Sequence, residues 1–267
     1  MKAPANILRT IYEHREKTLV RNRARDPMEN LVRRALAQRG ARRSLLNALR
    51  NAHGVGIIGE LKYASPSRGA IIGRQDPAAM VKRLEAGGVD ALSIVTEENF
   101  FGGDLSNLRK AREATRLPLL RKDFLTSAYE VVQSAAYGAD AILLIVAGLT
   151  DEQTGMLCEE AARYCLDVVL EVHDEQDLQR ALPLKPAIIG INNRDLRTFD
   201  VSISVSADIL PLIPRPVFAI SESGLTSPAK VRQVVELGAG GCLIGESLLR
   251  ADDPGAFVAA CRPVLAR

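Results

Sequence analysis

Charged and polar side chains stand directly after several short apolar segments of this chain. They are Glu60 and Lys62, Lys122, Glu171, Asn192 and Arg194, and Glu222 and Ser223. Two lysines and three glutamates that share one enclosed space shift one another's pKa values and can donate and accept protons near neutral pH. The spacing therefore predicts acid–base chemistry, provided that the ends of these segments meet.

Each residue also has an ordinary structural explanation. Glu60 and Lys62 could form a strand-end ion pair of little energetic value. Lys122 could be a solvated loop lysine, and Glu171 could cap the helix that follows it. These explanations are disfavoured as a set, because charge recurs at one end of the apolar segments while the opposite ends are mostly apolar.

Two neighbouring glycine turns predict a phosphate site. The segment ISESGL places Ser223 and Gly224 after one apolar segment, and IGESLL places Gly245 and Glu246 before a helical one. Free backbone N–H groups in such turns, together with a helix N-terminus, can hold a phosphate dianion. The alternative is that both turns need glycine for backbone geometry alone.

The elements that must position these groups alternate after residue 54 between short apolar and longer amphipathic segments. Uniformly apolar segments rich in Ile, Val and Leu are typical of buried parallel strands. Eight strands are predicted, at residues 55–61, 91–96, 117–123, 141–146, 168–172, 187–192, 217–221 and 241–245. Helices are predicted between them, including residues 77–88, 127–139, 151–165, 174–182 and 227–239.

Eight βα units of this length favour an α/β fold of the (β/α)8 TIM barrel type. In such a barrel, catalytic groups come from the C-terminal strand ends and the loops that follow them. An open doubly wound sheet is the alternative, and eight comparable units without a mid-chain break disfavour it.

The first fifth of the chain is basic. Residues 1–50 carry 13 Lys or Arg against 4 Asp or Glu, and the remainder carries 22 against 28. A nucleic-acid arm would show this excess. However, the basic residues alternate with Ile7, Leu8, Ile11 and Tyr12 at roughly helical spacing, which is typical of a helix with one solvated face. We therefore expect no nucleic-acid partner.

Composition and spacing disfavour other classes of function. Residues 54–59 contain G-x-G-x-x-G, but a predicted strand runs through the motif, which argues against NAD or FAD binding. The cysteines lack a CxxC pair and the histidines share no ligand spacing, so neither a disulfide framework nor a metal site is expected. Without a long apolar run or signal peptide, we expect a cytoplasmic protein with no membrane partner.

Five ordered motifs resemble the indole-3-glycerol-phosphate synthase family of tryptophan biosynthesis. They are GELKYASPS (59–67), RKDF (121–124), LEV (170–172), GINNRDL (190–196) and SESG (221–224). Tyr63 departs from the polar or basic residue expected after the motif lysine. The resemblance covers nearly the whole chain. It implies one barrel domain over residues 1–267, in which residues 1–54 form an N-terminal helical extension that covers the barrel mouth.

The resemblance implies a carboxy-lyase reaction. The substrate would be 1-(2-carboxyphenylamino)-1-deoxyribulose 5-phosphate, which closes to indole-3-glycerol phosphate with loss of CO2 and water. By this resemblance Lys122 is the general acid, Lys62 binds the substrate carboxylate and Glu60 orients the lysines. Glu171 takes the place of the base for dehydration. Which lysine donates the first proton stays open, because the two can titrate as a coupled pair.

The resemblance also implies the remaining site residues. Asn192 and Arg194 would contact the aminobenzoate or hydroxyl groups, and Glu222 and Ser223 would support the far wall. Further substrate-binding positions are Ser65 of the first motif, Phe101, Phe124 and Leu143 around the flat ring, and Gly224, Gly245 and Glu246 at the phosphate turns. Core packing explains the apolar members equally well. No cofactor is implied, because rearomatisation of the substrate drives decarboxylation.

Two alternatives remain. Another phosphate-binding barrel, such as a phosphoribosylanthranilate isomerase or a thiazole-synthase-like protein, would share the glycine turns but is not expected to carry both ELKxxSPS and the paired lysines. A catalytically silent barrel that binds sugar phosphates is disfavoured because every proposed acid and base is present. The expected partner is a small phosphorylated substrate, and the chain is expected to be a monomer or weak homo-oligomer.

Overall fold

The computed structural model describes residues 7–66, 69–73, 75–195 and 198–262. Eight parallel strands close into a barrel, with helices between them, so the predicted (β/α)8 TIM barrel is confirmed. The strands are β1 (Gly56–Leu61), β2 (Ala91–Val95), β3 (Leu119–Lys122), β4 (Ala141–Ile145), β5 (Asp167–Val172), β6 (Ile188–Asn192), β7 (Phe218–Glu222) and β8 (Gly241–Ile244). Each predicted strand boundary lies within two residues of the observed one.

Among the described residues, three α-helices precede the barrel, seven lie between consecutive strands and two follow the last strand. They are α1 (Ile7–Arg25), α2 (Met28–Gln38), α3 (Leu45–Arg50), α4 (Pro77–Ala86), α5 (Leu105–Ala114), α6 (Ala128–Ala136), α7 (Asp151–Arg163), α8 (Glu175–Ala181), α9 (Ser204–Ile209), α10 (Pro228–Glu236), α11 (Glu246–Arg250) and α12 (Pro254–Cys261). Across the described ranges, no helix is both long and apolar enough to span a bilayer.

Helix starts follow local sequence signals. The side chains of Asp76, Asp174 and Ser227 each accept a hydrogen bond from the backbone N–H three residues later, at the start of α4, α8 and α10. This satisfies one of the N–H groups that a first helical turn leaves without a partner. Pro77 and Pro228 occupy the first helical position, where no N–H is needed. Each cap thus fixes the residue at which the helix begins after the preceding loop.

Side chains that alternate between the two faces of each strand form two separate apolar cores. One apolar cluster fills the barrel interior and the other lies between strands and helices. The interior strand residues are Ile58, Ala91, Leu120, Ala141, Leu143, Ile145, Val169, Ile188, Ile220 and Leu243. Because strand side chains alternate between faces, the next inward position after Ile58, Leu120, Val169 and Ile220 is two residues further along. At these positions the sequence has Glu60, Lys122, Glu171 and Glu222, so the interior changes from apolar to charged toward the mouth.

The N-terminal extension is divided between the two ends of the barrel. Helix α1 contacts the mouth, where the Tyr12 ring lies 6.0 Å from the Phe124 ring after β3. Helix α2 packs along α6 outside the barrel. Helix α3 lies at the opposite end: the Ser44 hydroxyl before it is 3.0 Å from the Asp167 carboxylate at the start of β5. Its Leu49 packs against Gly56 at the start of β1.

The expectation that residues 1–54 cover the mouth is therefore corrected for α3. Leu45 and Leu49 are buried beneath the interior leucines and isoleucines, so α3 seals the N-terminal end of the barrel instead. The physical reason is that this end would otherwise expose an apolar interior to water. Residues 1–6 of the extension lie outside the described residues.

A buried ionic cluster joins α1 to the end of β3. Asp123 Oδ2 lies 3.0 Å from Arg15 Nη2 and 2.9 Å from Arg121 Nη2. Arg15 also pairs with Glu130 at the start of α6. All four side chains are at most 6% exposed. Burial raises the pKa of the Asp123 carboxyl, but the two arginines outweigh this effect and lower it below its ordinary value.

We predict that Arg15→Met destabilises the protein by about 3 kcal/mol, because the buried Glu130 carboxylate loses its paired cation and Asp123 keeps only Arg121. The matched control is Arg21→Met on the same helix. Arg21 pairs with Glu98 at 2.6 Å but is 62% exposed, so its loss is expected to cost less than about 1 kcal/mol. Urea unfolding at pH 7 measures both changes. Equal losses for the two variants would contradict a structural role for the cluster.

Candidate active site

Lys122 lies at the centre of a buried group of charges. Its Nζ atom is 2.6 Å from Glu171 Oε2 and 3.1 Å from Glu222 Oε2. Both glutamate side chains are 1% exposed, whereas that of Lys122 is 18% exposed through the mouth. The ends of β3, β5 and β7 therefore bring one ammonium and two carboxylates into direct contact. This contact requires the barrel to be closed, because 100 residues of sequence separate Lys122 from Glu222.

A second ion pair lies on β1. Lys62 Nζ is 2.5 Å from Glu60 Oε1, and both groups face the turn after β8. A Cβ atom on Gly245 would stand 2.6 Å from Glu60 Oε1 and 3.1 Å from Lys62 Nζ. Glycine is required at this position because the side chains from β1 occupy the space that a larger residue would need.

Glu171 has a different partner on each oxygen. Oε2 contacts Lys122, whereas Oε1 accepts a 3.0 Å hydrogen bond from Asn192 Nδ2 and lies 3.3 Å from His173 Nε2. The Asn192 side-chain oxygen in turn accepts a hydrogen bond from the Arg194 backbone N–H at 3.1 Å. These contacts hold both the carboxylate of Glu171 and the amide of Asn192 in one orientation.

The charges of this group shift its pKa values in opposite directions. Burial lowers the pKa of the Lys122 ammonium, but Glu171, Glu222 and Glu60 outweigh it and raise that pKa above its ordinary value. Burial raises the pKa of the Glu171 carboxyl, but Lys122 and then His173 outweigh it and lower that pKa below its usual range. Lys122 and Glu171 are therefore both ionised at neutral pH.

Glu222 behaves differently from Glu171. Burial raises its pKa to about 7, because Lys122 offsets burial only in part and Glu171 and Glu60 add like charge. A Cβ atom on Gly190 of β6 would lie 2.4 Å from Glu222 Oε1, so glycine there makes room for this carboxyl. Glu222 can consequently take up or release a proton near neutral pH beside Lys122.

Two cavities meet at Lys122. The larger, about 250 Å³, is the turn-side cavity; it is lined by Glu60, Lys62, Lys122, Arg194, Glu222, Ser223, Gly224, Gly245 and Glu246, among others. The smaller, about 70 Å³, is the ring-side cavity; it is lined by Phe101, Lys122, Phe124, Leu143, Glu171, Asn192, Arg194, Phe199 and Ser223, among others. Lys122, Arg194 and Ser223 line both. The site thus has a polar end with glycine turns and an apolar end with aromatic walls.

The turn after β7 has an unusual backbone. Ser223 and Gly224 both have positive φ, 66° and 77°. A serine in the left-handed region is uncommon, and successive residues of this kind turn their backbone N–H groups toward one side. A Cβ on Gly224 would also lie 2.7 Å from Val201 Cγ1. This turn and the turn at Gly245 both line the turn-side cavity.

Ser65 is one sequence-predicted site residue that the structure does not bring to either cavity. It is buried in the two-residue strand Ala64–Ser65, which pairs antiparallel with Gly69–Ala70 after β1. Tyr63, the departure from the expected motif, is buried and its hydroxyl donates to the Gln75 carbonyl at 2.9 Å. Two motif residues, Ser67 and Leu196, lie outside the described residues.

Some residues at the site were missed by the sequence interpretation. Phe199 lines the ring-side cavity, and Thr226, Lys230 and Ser247 line the turn-side cavity. No simple pattern marks them, because they lie in loops or first helical turns. His173 is also absent from the predicted site residues. It stands two residues after Glu171 and one residue beyond β5, so alternation points to it only if the extended backbone continues past the strand.

Comparison with known proteins identifies close relatives. The family model for indole-3-glycerol phosphate synthase matches residues 8–261. A protein named indole-3-glycerol phosphate synthase from Koribacter versatilis is 46% identical over 203 residues, which are 76% of this chain and 78% of the relative. One of the same name from Desulfosudis oleivorans is 40% identical over 257 residues, 95% of this chain and 97% of the relative.

Solved structures with low sequence identity share the fold. One is 3-hexulose-6-phosphate synthase from Salmonella typhimurium, with a TM-score of 0.63, 12% identity, and coverage of 78% of this chain and 96% of the other. At this identity the likeness supports the barrel alone. The motifs, the family match and the relatives together show that this chain belongs to the indole-3-glycerol phosphate synthase family.

Proposed function

We propose that this chain is an enzyme of tryptophan biosynthesis. As an indole-3-glycerol phosphate synthase, it converts 1-(2-carboxyphenylamino)-1-deoxyribulose 5-phosphate to indole-3-glycerol phosphate, CO2 and water. The observation that carries the residue assignments is the position of Lys122: its ammonium contacts Glu171 and Glu222 where the turn-side and ring-side cavities meet. A substrate with its phosphate in the turn-side cavity and its aromatic ring in the ring-side cavity would place its ketone beside Lys122.

Binding uses the two cavities for the two ends of the substrate. The phosphate would accept hydrogen bonds from the backbone N–H groups of the turns at Gly224 and Gly245, where negative charge is favoured. The ring would lie against Phe101 and Phe124, which contact each other with ring centres 5.9 Å apart, and against Leu143. Lys62 would meet the substrate carboxylate. Holding both ends brings the ring carbon and the ketone together and lowers the entropic part of the barrier.

Ring closure requires a proton donor. The ring carbon that bears the carboxylate attacks the ketone, the carbon–carbon bond forms, and the carbonyl electron pair moves to oxygen. Lys122 gives its proton to that oxygen. Its raised pKa keeps the ammonium protonated before substrate arrives, so the proton is present when negative charge develops.

The later steps restore aromaticity twice. The carbon–carboxylate bond breaks, CO2 leaves, and its electron pair returns to the benzene ring. Lys122, reprotonated from solvent, then gives a proton to the new hydroxyl, which leaves as water while the nitrogen lone pair forms a carbon–nitrogen double bond conjugated through the ring. Loss of one carbon-bound proton to Glu171 completes the indole. The lowered pKa of Glu171 keeps it ionised before substrate binds, and transfer of the Lys122 proton to the substrate removes the main cation that lowers this pKa, which makes Glu171 a stronger base.

We propose in addition that residues 1–267 form a single domain that works in the cytoplasm as a monomer or weak homo-oligomer. Residues of one chain line both cavities, so the proposed reaction needs no second copy. A small phosphorylated substrate is the partner that the site fits. Asn192 would orient Glu171 and the aminobenzoate group, and Arg194 would contact the substrate where the cavities meet.

The direct test is indole formation. Purified protein mixed with the carboxyphenylamino substrate is expected to show a rise in indole fluorescence. The competing hypothesis, a silent sugar-phosphate-binding barrel, would give no rise while phosphate ligands still bind.

We predict that Lys122→Ala lowers kcat by about 10³-fold, in the range that a positioned general acid contributes, while the affinity for indole-3-glycerol phosphate changes by only a few fold. The control is Lys82→Ala, since Lys82 is exposed on α4. Fluorescence assays and calorimetric titration with the product measure the two effects. Turnover by Lys122→Ala within a few fold of the wild type would refute the acid role.

We predict that Gly245→Ala lowers the affinity for substrate and inorganic phosphate at least about tenfold, because its methyl group would displace Glu60 and Lys62. Gly155→Ala on α7 is the matched control, because a Cβ there meets its nearest atom only at 3.7 Å. Isothermal titration with phosphate compares the two variants. Unchanged phosphate binding in Gly245→Ala would place the phosphate elsewhere.

We predict that one carboxyl group titrates with a midpoint near pH 7, because the raised pKa of Glu222 keeps it protonated below that pH. Difference infrared spectra should lose a protonated-carboxyl band as the pH rises through 7. The band should be absent from Glu222→Gln and present in Glu159→Gln, whose side chain is exposed on α7. A band that persists in Glu222→Gln would assign the titration to another group.

A further inference from the structure

His173 stands between two carboxylates at the end of β5. Its Nε2 atom lies 3.3 Å from Glu171 Oε1, and its Nδ1 atom lies 3.5 Å from Asp177 Oδ2. The backbone N–H of His173 donates to the same Asp177 oxygen at 3.1 Å. The imidazole is 13% exposed. The first turn of α8 therefore holds the main chain of His173 by a hydrogen bond and places a carboxylate beside its ring.

The charges around the imidazole favour its protonated form. Burial lowers the pKa of His173, but Asp177 and Glu171 outweigh it and raise that pKa to about 9. Two cations limit this effect from the far sides: Arg180 Nη1 is 3.6 Å from Asp177 Oδ1, and Lys122 contacts Glu171. A continuous row of alternating charges thus runs from Arg180 through Asp177, His173 and Glu171 to Lys122.

We propose that His173 is a positioning residue for the ring-closure reaction, which acts by holding the Glu171 carboxylate with its Oε2 atom turned toward Lys122. This inference rests on the proposed function. Oε1 of Glu171 is occupied by His173 and Asn192, so only Oε2 is left for the lysine. A neutral residue in place of His173 removes a cation from Glu171, which raises the pKa of Glu171 and loosens its contact with Lys122.

The kinetic test compares His173→Gln with the control His53→Gln, whose histidine is exposed before β1. For His173→Gln we expect kcat to fall about tenfold with KM within about twofold of the wild type. In the wild type kcat should also fall as the pH rises through about 9, where His173 loses its proton, and this alkaline limb should be absent from His173→Gln. Asp177→Asn, which keeps the imidazole but removes its supporting charge, should move the same limb to lower pH.

A second measurement does not depend on turnover. The chain has three histidines, so each imidazole signal can be assigned in NMR spectra by its loss from a single variant. The His173 signal should titrate well above pH 6.5 in the wild type and lower in Asp177→Asn. A midpoint at or below 6.5 overturns the inference, as does a His173→Gln profile that superimposes on that of an active wild type. A wild type that forms no indole overturns the proposed function and this inference with it.

Discussion

The burial of Lys122 between Glu171 and Glu222 is the interaction on which the site depends. A buried ammonium without partners would lose its proton, because a low-dielectric environment disfavours charge. Two carboxylates within 3.1 Å reverse that preference, but they also repel each other. The result is two carboxyls with separated pKa values, that of Glu171 lowered and that of Glu222 raised to about 7. Different environments thus give chemically identical side chains different tasks.

The end of β3 carries the proposed acid on its inner face and a buried ionic cluster on its outer face. Lys122 points into the barrel, whereas its neighbours Arg121 and Asp123 point outward into the cluster with Arg15. Arg121 also bonds to the Thr96 hydroxyl, which ties β3 to the end of β2. Alternation makes this division unavoidable, since consecutive side chains on a strand face opposite ways. The N-terminal extension consequently acts on the catalytic strand through its outer face.

The barrel and the meeting of its strand ends could be predicted from the sequence, whereas contacts made by loops could not. An apolar segment followed by charged residues indicates a buried strand and shows which of its ends carries the polar side chains. The leucines of α3 show only that one face of this helix is buried; they do not indicate which end of the barrel it covers. The motif serine Ser65 follows β1 closely, yet the chain turns there into a short antiparallel pair. The sequence shows a glycine at position 190, but it does not show that a side chain there would collide with the Glu222 carboxyl.

The arrangement of the two cavities places one lysine where it could donate protons throughout the proposed reaction. Lys122, Arg194 and Ser223 line both cavities, so a ligand anchored at its phosphate and at its ring must pass these three side chains. Lys122, Glu171 and Glu222 stand on strands whose spacing is set by the hydrogen-bonded barrel, not by mobile loops. Groups held on rigid elements keep the small tolerances that proton transfer requires. The apolar layer below, continuous from Leu120 to α3, excludes water from beneath these charges and keeps their mutual interactions strong.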